Sequence, residues 1–365
     1  MRLFQAVFAP IERLYRRYER PFSSISLIGG FVFDALTLQR VDELWENIWV
    51  AFHLIVVAVA ILMLNMDEDK REQGEEMPAS HFWLVNILQF FFGGLLSTYI
   101  VFYFRSAALS ATWPFILILA LAFVANERLK HHFERLAFQT ALFFLSLFSF
   151  TIFSVPILVH RIGAIVFVGS GVVSLLVMSI FFLALKKVSP VDYKKERTFL
   201  VGIVLSIFAA VNIMYFTNLI PPLPLALKDG GIYHSIVRSG ADYEVTFEDY
   251  GWKGFFKIYD DVHVLPDDSV YAYSAVFSPS KLNTDIIHEW QHYNEAERAW
   301  ETKGTIDLSV VGGREGGFRT FSNRYGLEDG KWRVNVETAR GQVIGRLLFN
   351  VVNVAELPVV KKELR

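Results

Sequence analysis

The stretch Thr217-Asn218-Leu219-Ile220-Pro221-Pro222-Leu223-Pro224 divides the chain between two solvents. Before it, the sequence is a succession of long apolar runs. After it, no run is long enough to cross a bilayer, and the pattern turns polar, aromatic and glycine-punctuated. The clustered prolines make a stiff connector leaving the last helix. The expected fold class is therefore an α-helical polytopic membrane bundle over residues 1–220. An all-β domain over residues 221–365 follows it, read as an antiparallel sandwich of the immunoglobulin-like kind.

A spanning helix needs about 20 apolar residues. Six runs meet this: Ile48–Leu64, Phe82–Phe104, Ala107–Ala125, Leu136–Val159, Ile162–Leu185 and Thr198–Thr217. A seventh, Phe22–Leu38, is shorter and contains Asp34. Charge placement decides it, because cytoplasmic loops carry an excess of Lys and Arg. With seven spans, one side collects the basic N-terminus, Lys70-Arg71, Arg128, Lys130, Arg135, Lys186-Lys187 and Lys194–Arg197. The other side receives Arg40, Arg105 and Arg161. The expectation is about seven spans in a cell inner membrane, N-terminus cytoplasmic and C-terminal domain extracytoplasmic. Phe22–Leu38 is read as a span and not a cleaved signal, since no small-x-small pattern follows it. Asp67–Glu76 reads as a solvated loop.

Composition narrows the functional classes. Hydrophobic residues make up 53% of the chain, and mean hydropathy is +0.36. A net charge of −2 gives no bulk attraction to nucleic acid. The absence of cysteine removes disulfides, thiolate metal sites, iron–sulfur clusters and cysteine nucleophiles together. No cofactor is expected.

Beyond Pro224, several runs alternate with period two: Tyr243–Phe247, Val270–Phe277, Thr305–Val311, Phe318–Phe321, Trp332–Val336 and Val343–Val351. Turn signals separate them at Pro266-Asp267-Asp268, Gly312-Gly313, Gly316-Gly317, Asp329-Gly330 and Arg340-Gly341. In the fifth run Trp332, Val334 and Val336 share one face. Lys331, Arg333, Asn335 and Glu337 share the other. This places Trp332 in the core and points Arg333 outward.

His288-Glu289-Trp290-Gln291-His292 matches H-E-x-x-H. On a helix the two histidines would share a zinc, with the glutamate as general base. The other reading makes Asp285–Tyr293 and Ala299–Lys303 a hairpin around Asn294–Arg298. Residues four apart on a strand lie about 13 Å apart, too far for one metal. The strand reading is preferred, so no metal site is expected. The run Gly312-Gly313-Arg314-Glu315-Gly316-Gly317 lacks a P-loop ending and reads as a hairpin turn. Arg314, Arg319 and Arg333, with Trp290 and Phe321, are the candidate binding residues, since arginines beside aromatics hold carbohydrate, peptide or anionic headgroups. The competing reading makes the aromatics core and the arginines solvated. Asp34 and Arg40 are the candidate intramembrane polar residues, in either interfacial pairing or an ion relay. Gly163, Gly169, Gly171 and Ser174 could form a close helix contact.

Several C-terminal segments carry a family resemblance. They are Val270–Pro279, Ile287–Trp290, Val311–Arg319, Gly330–Val334 and Glu337–Arg346. Together they resemble the bacterial domain-of-unknown-function family numbered 2914, whose members often place this domain after a multi-helix membrane region. The segment Gly30–Asp42 is similar to the start of such a region. The resemblance implies a bacterial origin, a β-rich terminal domain and a strand setting for His288-Glu289-Trp290. It supplies no catalytic residues. The leading expectation is a non-enzymatic membrane protein whose outward-facing domain binds or scaffolds an envelope component. Its partners would be the lipid bilayer and an envelope protein or glycan. The alternatives are a transporter or channel-like role with Asp34 in the pathway, and a zinc peptidase through His288, Glu289 and His292.

Overall fold

The computed structural model describes residues 32, 44–74, 80–105, 109–128, 135–220, 222, 224–240, 242–248, 259–265, 268–279, 284–311 and 316–365. Phe22–Leu38 as a segment, Asp34, Arg40 and Arg314 lie outside them. Contacts divide the chain into two compact units. One takes in the described residues up to Phe102, with Pro114–Val155 and Phe167–Ile213. The other takes in Tyr103–Trp113, Pro156–Val166 and Met214–Arg365.

Six helices occupy the N-terminal half: α1 (Leu44–Glu72), α2 (Ser80–Arg105), α3 (Leu109–Arg128), α4 (Leu136–Val159), α5 (Ala164–Val188) and α6 (Pro190–Phe216). All but α3 are long and apolar enough over their described side chains to cross a membrane. Helix is the form such segments take in lipid, because each satisfies its backbone polar groups internally. α4 is the most enclosed of the five and α6 the least. The outer face of α5 leaves Leu176, Ile180 and Leu183 more than half exposed, as lipid-facing residues would be.

Gly171 makes a close contact in the first unit. A side chain there would lie 2.8 Å from Phe208 and 3.3 Å from Phe148. These two rings stack at 5.6 Å. Ser174 is buried beside them, whereas Gly163 and Gly169 have nothing so close.

The acidic stretch after Met66 departs from the loop expectation. Helix continues through Glu72, and Asp67 and Asp69 are buried. Asp69 earns its place at the N-terminus of α6. It accepts hydrogen bonds from Ser189 Oγ at 2.7 Å, Val191 N–H at 3.2 Å and Asp192 N–H at 3.3 Å. A carboxylate there satisfies amides that the helix leaves unpaired and complements its positive end. Asn65 similarly donates to Gln139 Oε1 at 2.7 Å, tying α1 to α4.

The second unit is all-β from Ala226 onward among the described residues. Its strands are β1 (Ala226–Tyr233), β2 (Ser235–Ser239), β3 (Asp242–Glu248), β4 (Asp260–Val264), β5 (Ser269–Phe277) and β6 (Thr284–Asn294). They continue as β7 (Ala299–Val310), β8 (Phe318–Tyr325), β9 (Gly330–Thr338), β10 (Val343–Asn353) and β11 (Val360–Leu364). They form three sheets, in the orders β1-β5-β8, β4-β10-β9-β6-β7 and β11-β3-β2.

The expectation of a purely antiparallel domain is corrected, since β4 runs parallel to β10. The two strands are far apart in sequence, so no hairpin imposes the antiparallel sense. The five-stranded sheet and the first three-stranded sheet share one core. Val270 and Ala272 of β5 meet Trp290 of β6, Trp332 and Val334 of β9, and Phe349 of β10. The other face of β5 packs Tyr273 and Ala275 against Ile236 and Val245 of the third sheet. Coverage on both faces explains why β5 is buried almost throughout. Gly345 lets β1 close over β10, because a side chain there would meet Leu227 at 2.2 Å. Also in this unit, the Arg340 guanidinium lies 4.8 Å from the centre of the Tyr215 ring and donates to its hydroxyl at 2.7 Å.

Candidate functional site

The five-stranded sheet turns one face to the core and the other away from it. Period-two alternation sends Ile286, His288 and Trp290 of β6 inward with Trp332, Val334 and Val336 of β9. The outward residues are Glu289 and Gln291 of β6, Arg333, Asn335 and Glu337 of β9, and Arg346 of β10. Register brings them together. Asn335 stands opposite Glu289 on one side and opposite Arg346 on the other, and Gln291 stands opposite Arg333.

These side chains form one hydrogen-bonded network. Asn335 Nδ2 donates to Glu289 Oε2 at 2.9 Å, and Asn335 Oδ1 accepts from Arg346 Nε at 2.9 Å. Arg333 Nε donates to Gln291 Oε1 at 2.6 Å. Thr302 of β7 donates to Glu289 Oε1 at 2.6 Å and accepts from Gln291 Nε2 at 3.1 Å. The Arg333 guanidinium lies over the Trp300 ring, 4.3 Å from its centre.

The network is unusually dry for a sheet's outer face, with Asn335 only 4% and Gln291 9% exposed. Burial, then the Glu289 charge, raises the Glu337 carboxyl to about 7. Burial lowers both arginines, and the neighbouring Arg346 lowers Arg333 further. Two cations thus share a partly desolvated surface with a carboxyl poised near neutrality.

The residues singled out in the sequence do not converge. Arg333 lies in this network. Trp290 is fully buried, with its indole N–H donating to Ser322 Oγ at 3.0 Å, so it offers no surface to a ligand. Arg319 is on β8 and pairs with Asp242 of the third sheet. Phe321 packs into the aromatic layer there, 5.6 Å from the Tyr243 ring. The physical reason is topology: β8 belongs to a different sheet from β6 and β9.

His288 and His292 lie on β6, in a hairpin with β7. His288 is in the core, with Nε2 2.8 Å from Ser274 Oγ and Nδ1 2.8 Å from Ser322 Oγ. His292 approaches the Asp329 carbonyl at 3.2 Å. Among the described residues, no three metal-ligating side chains are grouped to hold an ion.

Residues 283–351, which span β6 to β9 and nearly all of β10, match the family model described as Protein of unknown function (DUF2914). The C-terminal region carries a DUF2914 domain. No curated protein matches the sequence. Among solved structures, a β-glucosidase from Listeria innocua in complex with gluconolactone is 14% identical, with a TM-score of 0.18. That match covers 24% of this chain and only 14% of the glucosidase. Pseudomonas fluorescens alkylpurine DNA glycosylase AlkC, bound to DNA containing an abasic site analog, is 7% identical over 86% of this chain and 99% of that one, with a TM-score of 0.22. Scores this low assign neither fold nor function.

The network lies within the DUF2914 match, and most of it was missed in the sequence. Its β9 members were visible as the polar face opposite Trp332. Glu289, Gln291 and Arg346 join them only through strand register, which alternation within one strand does not reveal.

Proposed function

We propose that this protein is a non-enzymatic, multi-pass inner-membrane protein of a bacterial envelope, with about seven spans. In this reading the DUF2914 domain faces outward and binds or scaffolds an envelope component through the outer face of its five-stranded sheet. One observation carries the reading: Asn335 and Gln291 are buried on a face that the core does not use, each accepting a hydrogen bond from a half-buried arginine. Burying polar and charged groups costs free energy, and a face with no task has no need of it. The long apolar helices support the membrane setting, and the asymmetry of loop charge supports the orientation. Transport is the weaker reading. The buried polar side chains Asn65, Gln139 and Asp69 are engaged in bonds between helices, which accounts for them structurally.

Photocrosslinking in cells tests the binding surface. A benzophenone side chain in place of Leu348, which stands opposite Arg333 on β10, is expected to give a light-dependent adduct with an envelope component. The adduct should weaken strongly in an Arg333→Gln, Arg346→Gln background. The same probe in place of Val237, exposed on the third sheet, should give none. Equal adducts at both positions, or none at Leu348, would remove the support for this face.

A further inference from the structure

The connector between α6 and β1 is packed chain. At the end of α6 the Asn218 amide donates to the Tyr215 carbonyl at 3.1 Å and the Leu219 amide to the Met214 carbonyl at 2.8 Å. Asn218 takes the left-handed conformation that closes a helix, with φ 59°. Beyond it Ile220, Pro222, Pro224 and Leu225 are buried, and the Leu225 amide donates to the Pro222 carbonyl at 3.0 Å. Leu225 joins a core cluster of the β-domain with Val276, Ile286 and Val336. A connecting segment with no structural task runs over the surface.

Two further contacts bring helix ends to the same domain, all within the second unit. Ile162, in the connection between α4 and α5, packs against that core cluster. Arg340, in the turn between β9 and β10, lies on the end of α6. Its Nη1 donates to the Tyr215 hydroxyl at 2.7 Å, and its guanidinium is 4.8 Å from the centre of the Tyr215 ring and 5.5 Å from that of Phe216. Asn218 Nδ2 donates to the Arg340 carbonyl at 3.5 Å. Side chain and carbonyl of one turn residue are thus both engaged by the end of the helix. Arg340 is exposed and stands outside the core clusters, so it ties the turn to the helix without filling the domain's interior.

We propose that the β-domain is mounted on these helix ends and does not swing on a tether, with Arg340 and Ile162 as its two fixings, so that a load or ligand on the domain is delivered to α6 and to the α4–α5 connection. The turn that carries Arg340 joins β9 and β10, two interior strands of the five-stranded sheet. A displacement of either strand reaches the end of α6 through one residue. α6 is a single helix from Pro190 to Phe216, and a rigid element passes a displacement on where a coil absorbs it. The mount holds whichever face of the domain binds.

The test uses the full chain in lipid nanodiscs, spin-labelled at Ile165→Cys and Thr305→Cys, two exposed positions of the second unit. Pulsed electron paramagnetic resonance is expected to give one narrow distance distribution. A domain swinging on a free connector the length of Thr217–Pro224 would spread over about 15 Å. Adding Arg340→Ala with Ile162→Ser should broaden the distribution towards that width. Arg238→Ala, which removes an exposed arginine from β2, should leave it narrow. Hydrogen exchange separates release from misfolding. In the double variant the amides of Leu219 and Leu225 should exchange at least about tenfold faster, while those of β6 and β9 keep their protection.

The proposal is overturned if the parent distribution is already as broad as that of a free tether, or if the double variant stays as narrow as the parent. It is equally overturned if β6 and β9 lose protection in the double variant, because the two contacts would then belong to the domain's own fold and not to its mounting.

Discussion

Replacing Trp332 with alanine is expected to destabilise the β-domain by about 3–5 kcal/mol, the usual cost of deleting a core tryptophan. Its side chain is 1% exposed, stacks with Phe349 at 6.5 Å and meets the tilted His292 ring at 4.8 Å. Its indole N–H donates to the Glu328 carbonyl at 2.8 Å, so alanine removes packing and leaves that carbonyl without the bond. Arg333→Ala, one residue along, should cost only about 1–2 kcal/mol. It forfeits one hydrogen bond and its contact with Trp300 while leaving the core intact. Calorimetric melting of the full chain measures both. A parent-like melt for Trp332→Ala with a collapse for Arg333→Ala would reverse the two faces of β9.

The second large effect is an acid sensitivity built around His288. The ring is fully buried between the hydroxyls of Ser274 and Ser322. These suit a neutral imidazole, whose two nitrogens need one donor and one acceptor. Burial pushes its pKa down to about 4. The unfolded chain takes up this proton near the ordinary value of about 6.5. Between those values the unfolded state binds a proton that the folded state refuses. Stability therefore declines as pH falls from about 6.5 and levels off below about 4, for a total of about 3 kcal/mol. His288→Gln keeps a donor and an acceptor but cannot titrate. Denaturant unfolding at pH 7 and pH 4 should show the parent losing about 3 kcal/mol more than the variant over that interval. Equal losses would mean that His288 is not the group responsible.

Much of this fold was legible because single segments determine it. The long apolar runs set the helices, and Phe82–Phe104 and Leu136–Val159 fall within a residue or two of α2 and α4. The inward face of β9 followed from the alternation of Trp332, Val334 and Val336. The hairpin reading of His288 through His292 is what the structure shows. Features that depend on distant partners were not legible. Asp69 looks like part of a solvated acidic run until α6 places its N-terminus against it. Strand β1 contains Lys228-Asp229-Gly230-Gly231, which shows no alternation of apolar and polar residues, yet it pairs along β5 through those glycines. The polar network needs β6, β9 and β10 in register before Glu289, Asn335 and Arg346 can meet. For the same reason Arg319 and Phe321, close to the glycine run in sequence, end in another sheet.

On the proposed reading the β-domain is anchored to the membrane and presents this face outside the cell, so its sidedness can be measured with single thiols. The chain has no cysteine, so single thiols report cleanly. Lys187 at the end of α5 and Thr305 on β7 are both exposed and suit a cysteine probe. In intact spheroplasts a membrane-impermeant maleimide is expected to label Thr305→Cys fully and Lys187→Cys only after permeabilisation. Labelling of Lys187→Cys with protection of Thr305→Cys would place the β-domain in the cytoplasm and contradict the account.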